Sequence, residues 1–464
     1  MNIMFPIISF PYASRILMPE GIGIVNFANA IIDYFLLIAG IGVNYYGSRE
    51  AARFRDDKEE LNKFSREMLA INIIAMLFAY LLFFISLFVI PRFFAFRLIL
   101  CVIASKILFQ SIGLEWLFNA KEEYHYITIR SAVMQLVCLV FLFVFVKSPE
   151  DYVHYAMLGV ISSAGANIFN LFYARKFINP FKPYKLELRK HIKKLFLFFG
   201  VNFATKIYAI IDTTMLGFLA GYAAVGFYTA ANKMVSMVVG LLTSVLFTFL
   251  PRSTYYIENK LQEKYRDLII KASNVALFFA LPAATGVFLL GRQIILLFSG
   301  KDYLPGLPAI RVLCPQIILF ALCAILENVI LTPQKKERFV FYAQIVACIT
   351  NFILNYIFIR YLQATGAAIA TFFSELAVFI VLFSAGKAWL RHKEIAISLL
   401  QSCAGTAVMA GAVLVSLHFL LPVTDSPFWQ LLPSVLAGMI SYAACMLVMK
   451  NSTALMIIHR KEKQ

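Results

Sequence analysis

Apolar segments of about 20 residues recur along this chain, each long enough to cross a hydrocarbon core of about 30 Å as an α-helix. Such runs must be helical, because an open strand in lipid would leave its backbone N–H and C=O groups unpaired. They also lack the alternation of apolar and polar residues that is typical of a membrane barrel. The sequence therefore predicts an all-α polytopic membrane protein. We place about fourteen transmembrane helices near residues 2–17, 23–46, 67–90, 94–118, 126–147, 151–173, 193–220, 225–250, 268–290, 307–331, 338–360, 365–389, 396–420 and 429–450.

Charged residues are few, and the basic ones are unevenly distributed. Charged residues make up 14% of the chain, against about 25% in soluble proteins. The net charge is +17, and about 29 basic residues lie in alternate connections and the C-terminal tail, against about 7 in the other connections. Because cytoplasmic loops carry the excess of Lys and Arg, both termini are predicted to be cytoplasmic. The charge then reflects topology and attraction to anionic membrane lipids, and nucleic acid is not an expected partner.

Sequence motifs for metals and nucleotides are absent. The seven cysteines stand singly within apolar segments, and the six histidines form no metal-binding pair. A phosphate-binding loop needs an upstream glycine and a following Ser or Thr, which Gly300-Lys301-Asp302 and Gly386-Lys387-Ala388 both lack. We therefore predict no metal and no cofactor. The remaining classes are a secondary transporter, a channel and a membrane-embedded enzyme.

The chain contains a weak internal repeat. A shift of 203 residues aligns Gly23 with Gly226, and a shift of 212 residues aligns Glu115 with Glu327. Because six helices separate the copies, the two halves have the same orientation. They are predicted to be related by a pseudo-two-fold axis along the membrane normal, around a central cleft. Further pairs in the first register are Ala28 with Ala231, Asn29 with Asn232, Arg49 with Arg252, Glu60 with Glu263, and Lys63 with Arg266.

The repeat and the one long linker predict four regions. Residues 1–173 form an N-terminal six-helix lobe, and residues 174–194 form a basic cytoplasmic linker. Residues 195–390 form a C-terminal six-helix lobe, and residues 391–464 hold two extra helices and a cytoplasmic tail. Parallel lobes of this kind suit alternating access, in which the halves rock about a site between them.

Several motifs resemble those of the polysaccharide-transporter (Wzx-type) flippases. The N-terminal matches are Ser14-Arg15-Ile16-Leu17-Met18-Pro19-Glu20-Gly21-Ile22-Gly23, Gly47-Ser48-Arg49-Glu50 and Arg55-Asp56-Asp57-Lys58. The later matches are Asp212-Thr213-Thr214-Met215-Leu216-Gly217, Gly226-Phe227-Tyr228-Thr229-Ala230-Ala231, Leu250-Pro251-Arg252 and Gly366-Ala367-Ala368-Ile369-Ala370-Thr371 through Glu375. The resemblance spans about residues 1–390 in the family's order.

This resemblance implies the two-lobed fold of the multidrug/oligosaccharidyl-lipid/polysaccharide exporter superfamily. It also implies transfer of an undecaprenyl-pyrophosphate-linked repeat unit of O-antigen, capsule or exopolysaccharide to the periplasmic leaflet of a bacterial inner membrane. The expected partners are this lipid-linked oligosaccharide, membrane lipids, and the polysaccharide polymerase and chain-length machinery. The resemblance implies no enzymatic activity.

An anionic sugar-pyrophosphate head needs a hydrated cleft with cationic groups to cross the membrane. Lys106, Lys206 and Lys233 lie inside predicted helices, whereas Arg15, Arg130 and Arg311 lie nearer to helix ends. An unpaired charge at mid-helix costs at least about 2.5–3.5 kcal/mol, so each such lysine needs a partner or water. We predict that the three lysines, Arg15 and Arg311 line a cationic substrate cleft. For all three arginines, snorkelling to the membrane interface is the alternative to a substrate role.

Three acidic residues inside predicted helices, Asp33, Asp212 and Glu375, are candidates for ion coupling. A carboxylate in a low-dielectric site can couple the entry of a proton or a sodium ion to the opening of one face. The alternative is that these carboxylates form salt bridges with the lysines and hold the lobes in one state.

Two other functions remain open from the sequence. An ion-coupled exporter of small organic cations, of the multidrug type, would need a cavity dominated by acids, whereas cationic residues inside the helices are at least as numerous here. A membrane-embedded glycosyltransferase or ligase would need a large periplasmic loop with catalytic carboxylates. The longest outside connection, about 291–306, carries only Asp302. The sequence therefore favours the flippase.

Overall fold

A computed structural model describes residues 4–179 and 184–459. Regular structure within these residues is entirely helical, with short 3-10 and π turns between some helices. The α-helices are α1 (Met4–Gly40), α2 (Val43–Arg53), α3 (Lys58–Val89), α4 (Pro91–Ala95), α5 (Arg97–Ser111), α6 (Glu115–Ala120), α7 (Tyr124–Phe145), α8 (Tyr152–Val160), α9 (Asn167–Ala174), α10 (Arg189–Leu219), α11 (Tyr222–Phe247), α12 (Leu250–Glu258), α13 (Gln262–Phe298), α14 (Leu307–Leu313), α15 (Gln316–Ala324), α16 (Glu337–Gly386), α17 (Lys393–Leu420), α18 (Pro427–Val448) and α19 (Ser452–His459).

Many of these helices are long and apolar enough to cross a membrane. In the described part of the chain there are ten such stretches. There are eleven if the helical pair Lys301–Leu313 and Gln316–Leu331, bent by 42°, forms one span. The predicted all-α polytopic membrane fold is therefore confirmed. The count of fourteen helices and the pseudo-two-fold repeat of two lobes stay predictions.

Two long helices contain a break where the sequence predicts a boundary between spans. In α1, Met18 has non-helical backbone angles (φ 60°, ψ 173°). It directly precedes Pro19, whose ring disfavours the helical conformation of the preceding residue. In α16, the break is at Gln363 (φ 49°, ψ −122°). A Cβ atom on Gly366 would lie 2.3 Å from the carbonyl oxygen of Phe358, so this turn requires glycine.

Two glycines from the motifs that carry the family resemblance allow helices to approach each other closely. A Cβ atom on Gly47 would lie 2.9 Å from the indole ring of Trp116, which packs α2 against α6. A Cβ atom on Gly217 would lie only 2.0 Å from the ring of Phe27. Both contacts are tighter than any larger side chain permits, so these glycines have a packing role.

The chain divides into two compact units, Met1–Gly217 (unit 1) and Phe218–Gln464 (unit 2). In unit 1, α1 packs against α3, α5 and α8. In unit 2, α13 packs against α11, α15, α17 and α18. The two helices predicted as extra, α17 and α18, also pack on each other, and the hydroxyl of Tyr442 donates to the carbonyl of Phe278 at 2.7 Å. The four predicted regions of the chain stay predictions.

The predicted linker is bound along the first turns of α3. The backbone N–H of Asn179 donates to the side-chain oxygen of Asn62 at 2.7 Å, and the hydroxyl of Tyr184 donates to the carboxylate of Glu59 at 2.7 Å. Residues 180–183, between these two bonds, lie outside the described residues. Both described flanks of the linker are therefore attached to unit 1.

Candidate functional site

Lys106 and Asp33 form an ion pair within unit 1. Lys106 lies on α5 and Asp33 on α1, and these helices pack together. The Lys106 Nζ atom is 3.5 Å from Asp33 Oδ1, and the two side chains are 17% and 38% exposed. The distance is at the long limit for a hydrogen bond, so the pair compensates two charges without fixing them tightly. Lys106, a predicted substrate residue, thus contacts Asp33, a predicted coupling residue. A salt bridge of this kind was the alternative to ion coupling that the sequence left open.

Arg130 of α7 is the centre of a second polar network. The sequence left a substrate role and snorkelling open for this residue. Its Nη2 donates to Glu115 Oε1 at 3.4 Å, and its Nη1 donates to Asn170 Oδ1. The Asn170 amide donates in turn to the carbonyl of Gly113. The Arg130 side chain is only 7% exposed, so these bonds offset the cost of removing its charge from water. Its partners tie the turn before α6 to α7 and α9, which indicates a structural role.

The other predicted site residues of unit 1 lie on α1 and α10. Arg15 and Lys206 are exposed. Asp212 is buried, with 5% of its surface exposed. The sequence pattern of α10 does not indicate that Lys206 is exposed whereas Asp212 is buried. Their assembly with Lys106 into one cleft stays a prediction.

In unit 2, the three predicted residues lie on three different helices. Lys233 on α11 is half-buried, and Arg311 on α14 is exposed, with its guanidinium 5.7 Å from the centre of the Phe288 ring. Glu375 on α16 is buried, with 3% of its surface exposed. The roles of Lys233 and Arg311 in substrate binding and of Glu375 in ion coupling stay predictions.

Several polar side chains of α16, the helix that carries Glu375, are buried. The hydroxyl groups of Tyr228 on α11 and Thr371 on α16 are 3.0 Å apart, and Thr371 lies one helical turn before Glu375. The Asn355 amide donates to Asn351 Oδ1 at 2.8 Å, and both asparagines are fully buried. Two motifs that carry the family resemblance, one with Tyr228 and one with Thr371, therefore meet in unit 2. Among the described residues, no group of three His, Cys, Asp or Glu side chains is placed to hold a metal ion.

A buried hydrogen-bonded chain joins α2, α3 and α10 at the end of unit 1 that the basic residues predict to be cytoplasmic. The Tyr46 hydroxyl is 2.7 Å from His191 Nδ1, and His191 Nε2 is 2.8 Å from Glu67 Oε2. The Lys190 ammonium is 3.1 Å from the same carboxylate, whose other oxygen accepts the backbone N–H of Glu187 at 3.0 Å. Glu67 is 1% exposed and His191 5% exposed, so this carboxylate is both buried and paired.

Burial and the neighbouring carboxylates change the pKa of Lys190 in opposite directions. Desolvation alone would lower the pKa of Lys190, but hydrogen bonding to and attraction by Glu67, with a further contribution from Glu187, raise that pKa above its usual value. Sequence reasoning missed this chain of contacts. The only signal available was a glutamate and a histidine at the edges of apolar segments.

Comparison with known proteins decides the family. Residues 1–256 match the model of a family described as polysaccharide biosynthesis protein. The chain belongs to this family. The resemblance to polysaccharide transporters seen in the sequence is thereby confirmed.

Two relatives of this polysaccharide biosynthesis protein are similar over most of their length. A protein of Shigella dysenteriae named "Putative O-antigen transporter" is 25% identical over 392 residues, which cover 83% of this chain and 96% of that protein. A protein of the same name from Escherichia coli is 24% identical, with 81% of this chain and 91% of that protein covered.

Solved structures share the fold of this family member. The lipid II flippase MurJ in an inward closed conformation has a TM-score of 0.74 at 16% identity, covering 97% of this chain and 98% of that chain. An inward-facing multidrug resistance transporter of the MATE family, in the MOP superfamily, has a TM-score of 0.68 at 15% identity, covering 86% and 95%. At these identities the likeness shows the fold alone.

Proposed function

We propose that this protein is a flippase for undecaprenyl-pyrophosphate-linked oligosaccharide repeat units. It moves them from the cytoplasmic to the periplasmic leaflet of a bacterial inner membrane by alternating access. Family membership and the two relatives named as O-antigen transporters support this proposal. The structural observation that carries it is the pair of Lys106 and Asp33, a compensated cation within apolar helices.

The chemistry of the substrate fits an exchange of partners at Lys106. A pyrophosphate offers several anionic oxygens, and hydrogen bonds between charged groups are about twice as strong as those between neutral groups. The substrate head therefore competes with Asp33 for the Lys106 ammonium, whose 3.5 Å contact is a weak one. When the head is absent, Asp33 compensates the lysine and removes the cost of an unpaired charge in the membrane.

Ion coupling follows from the same exchange. If the substrate takes Lys106, the Asp33 carboxylate loses its partner and is stabilised by a proton or a sodium ion. In the empty protein, Lys106 and Asp33 neutralise each other. In the loaded protein, the substrate neutralises Lys106, and a proton or a sodium ion neutralises Asp33. A state in which one of the two charges has no partner is disfavoured. Asp212 and Glu375 are the further coupling candidates, and Arg15, Lys206, Lys233 and Arg311 are the further cationic positions for the substrate.

The test is the sidedness of the lipid-linked repeat unit in a strain that lacks the gene. Access of a lectin or a glycosidase is measured in inside-out and right-side-out membrane vesicles. We expect the repeat unit to be trapped on the cytoplasmic leaflet, and the wild-type gene to restore its transfer. Normal sidedness with altered resistance to cationic drugs would contradict the flippase and favour the exporter of small organic cations.

A further inference from the structure

Two cavities at the predicted cytoplasmic end of unit 1 are both lined by residues of α3 and α10. The first, which we call the polar cavity, has a volume of about 220 Å³ and is lined by charged residues of α2, α3 and α10 with aromatic rings between them. The second, the apolar groove, has a volume of about 460 Å³ and is lined entirely by apolar residues from the end of α1, from α3 and from the start of α10. A volume of this size is typical of sites that hold an organic ligand.

The cavities follow each other along α3 and lie on neighbouring faces of α10. On α3, Glu67 lines the polar cavity, and Ile71, one turn further into the apolar segment, lines the apolar groove. On α10, His191 lines the polar cavity and Ile192 the apolar groove. One turn of helix rises about 5.4 Å. A molecule with a small polar head and an apolar chain therefore matches the linings of both cavities.

The charges of the polar cavity are balanced. Three acids and three lysines line it, and two acids are already paired: Glu67 with Lys190 at 3.1 Å and Glu50 with Lys194 at 3.9 Å. The third acid and the third lysine, Glu60 and Lys63, form no ion pair in the part of the chain that the structure describes. One carboxylate and one ammonium thus face the same cavity, three residues apart on α3.

Among the described residues, one unpaired carboxylate and one unpaired ammonium in the polar cavity favour a lipid head group that carries both a negative and a positive charge. A dianion such as pyrophosphate would gain Lys63 but would be repelled by Glu60 and by the paired carboxylates. A head group with one phosphate and one primary ammonium complements both free charges. Its phosphate accepts from Lys63, and its ammonium donates to Glu60.

We propose that the polar cavity and the apolar groove together bind one molecule of phosphatidylethanolamine. The phosphate lies at Lys63, the ammonium at Glu60, and one acyl chain in the groove beside Ala75 and Phe78. The buried chain of Tyr46, His191 and Glu67 forms one wall of the polar cavity. The lipid then bridges α3 and α10, and it stabilises the contact between the linker and unit 1 by mass action.

Native mass spectrometry of the full-length protein in detergent tests this site. The protein is titrated with phosphatidylethanolamine, phosphatidylglycerol and phosphatidylcholine of identical acyl chains. We expect phosphatidylethanolamine to bind about tenfold more tightly, because phosphatidylglycerol has no cation and the trimethylammonium of phosphatidylcholine has no N–H to donate. Glu60→Gln and Lys63→Gln should each weaken its binding about tenfold, and Glu60→Gln should abolish the preference over phosphatidylglycerol.

The internal repeat supplies matched controls. Glu263 and Arg266 occupy the positions in unit 2 that align with Glu60 and Lys63, and both are exposed. Glu263→Gln and Arg266→Gln should leave the binding of phosphatidylethanolamine unchanged. Ala75→Phe, which fills the groove, should weaken binding of all three lipids.

Several results would overturn the proposal. These are equal affinities for the three lipids, equal effects of Glu60→Gln and Glu263→Gln, and a preference for phosphatidylglycerol that Lys63→Gln removes. Tighter binding of undecaprenyl pyrophosphate than of phosphatidylethanolamine, lost in Lys63→Gln, would also overturn it and assign the cavity to the transported lipid.

Discussion

The ammonium of Lys106 and the carboxylate of Asp33 lie 3.5 Å apart, although 73 residues separate them in the chain. They connect α5 to α1 within unit 1, and neither side chain is fully buried. Because each charge compensates the other, a substitution of either residue has a consequence for its partner as well as for any substrate. Single and double variants of this pair therefore separate substrate binding from ion coupling.

Replacing Lys106 by alanine should abolish polymer export while leaving the protein in the membrane. The variant loses the cation that competes for the pyrophosphate, and the remaining Asp33 is 38% exposed and can be hydrated. Export is measured as surface polymer, and protein as the amount in purified membranes. Lys106→Arg, which keeps the charge, should retain part of the activity. Normal polymer in Lys106→Ala and in Lys206→Ala would contradict a cationic cleft.

Replacing Asp33 by asparagine should remove the dependence of transport on the ion gradient. The amide has nearly the same shape but cannot exchange a proton or pair electrostatically with an ion. Transport in vesicles is compared with and without an imposed proton or sodium gradient. The matched control is Asp151→Asn, whose carboxylate is bonded to the nearby Lys147 and Ser148 backbone N–H groups. An unchanged gradient dependence in Asp33→Asn would reassign Asp33 to structure.

Replacing Arg130 by alanine should destabilise unit 1 by about 2–3 kcal/mol, because Asn170 then loses a charged partner inside the protein. The expected result is a lower melting temperature in detergent, measured by size-exclusion fluorescence of a tagged protein. Lys106→Ala serves as the contrast, because its partner Asp33 is 38% exposed and can be hydrated, so transport should be lost with a smaller loss of stability than in Arg130→Ala. Equal melting temperatures for Arg130→Ala and wild type would argue against a structural role of the network.

Replacing Gly217 by alanine should destabilise the protein by about 1–3 kcal/mol through overpacking. The new methyl group would lie 2.0 Å from the Phe27 ring, so Phe27→Leu should recover part of the lost stability in the double variant. Gly240→Ala is the control, because a Cβ atom there meets nothing within 4 Å. Additive effects of Gly217→Ala and Phe27→Leu would contradict the direct contact.

Single cysteines introduced into a cysteine-free variant should test the membrane topology. The distribution of basic residues places Lys264 inside and Lys301 outside, and both side chains are exposed. A membrane-impermeant maleimide added to intact spheroplasts should label Lys301→Cys and leave Lys264→Cys unlabelled until the membrane is opened. The reverse labelling pattern would contradict the prediction that both termini are cytoplasmic.

Much of the architecture was accessible from the sequence, because a membrane span is a local property. About 20 apolar residues form a helix in lipid whatever their neighbours are, and the breaks at Met18 and Gln363 fall where the hydropathy pattern was interrupted. Contacts between helices were not accessible in the same way. Tyr46 and His191 are 145 residues apart, and no periodicity in either segment indicates that they meet.

The predicted site illustrates the same limit. The sequence identified Lys106 and Asp33 as charges that need compensation, but the cost of an unpaired charge does not say which partner provides it. The sequence also did not show that Arg15 and Arg130 differ in environment. Arg130 is enclosed by Glu115 and Asn170, whereas Arg15 is exposed. Those assignments depend on which helices are neighbours.

The hydrogen bonds on both sides of residues 180–183 have an evolutionary consequence. Asn179 is held by Asn62 and Tyr184 by Glu59, so the chain between them begins and ends at fixed points on α3. Insertions and deletions are tolerated where they leave such anchors in register. Homologues should therefore keep the spacing between α9 and Asn179 and the spacing between Tyr184 and α10. A gene split between these two bonds should yield two polypeptides whose ends meet on the same helix.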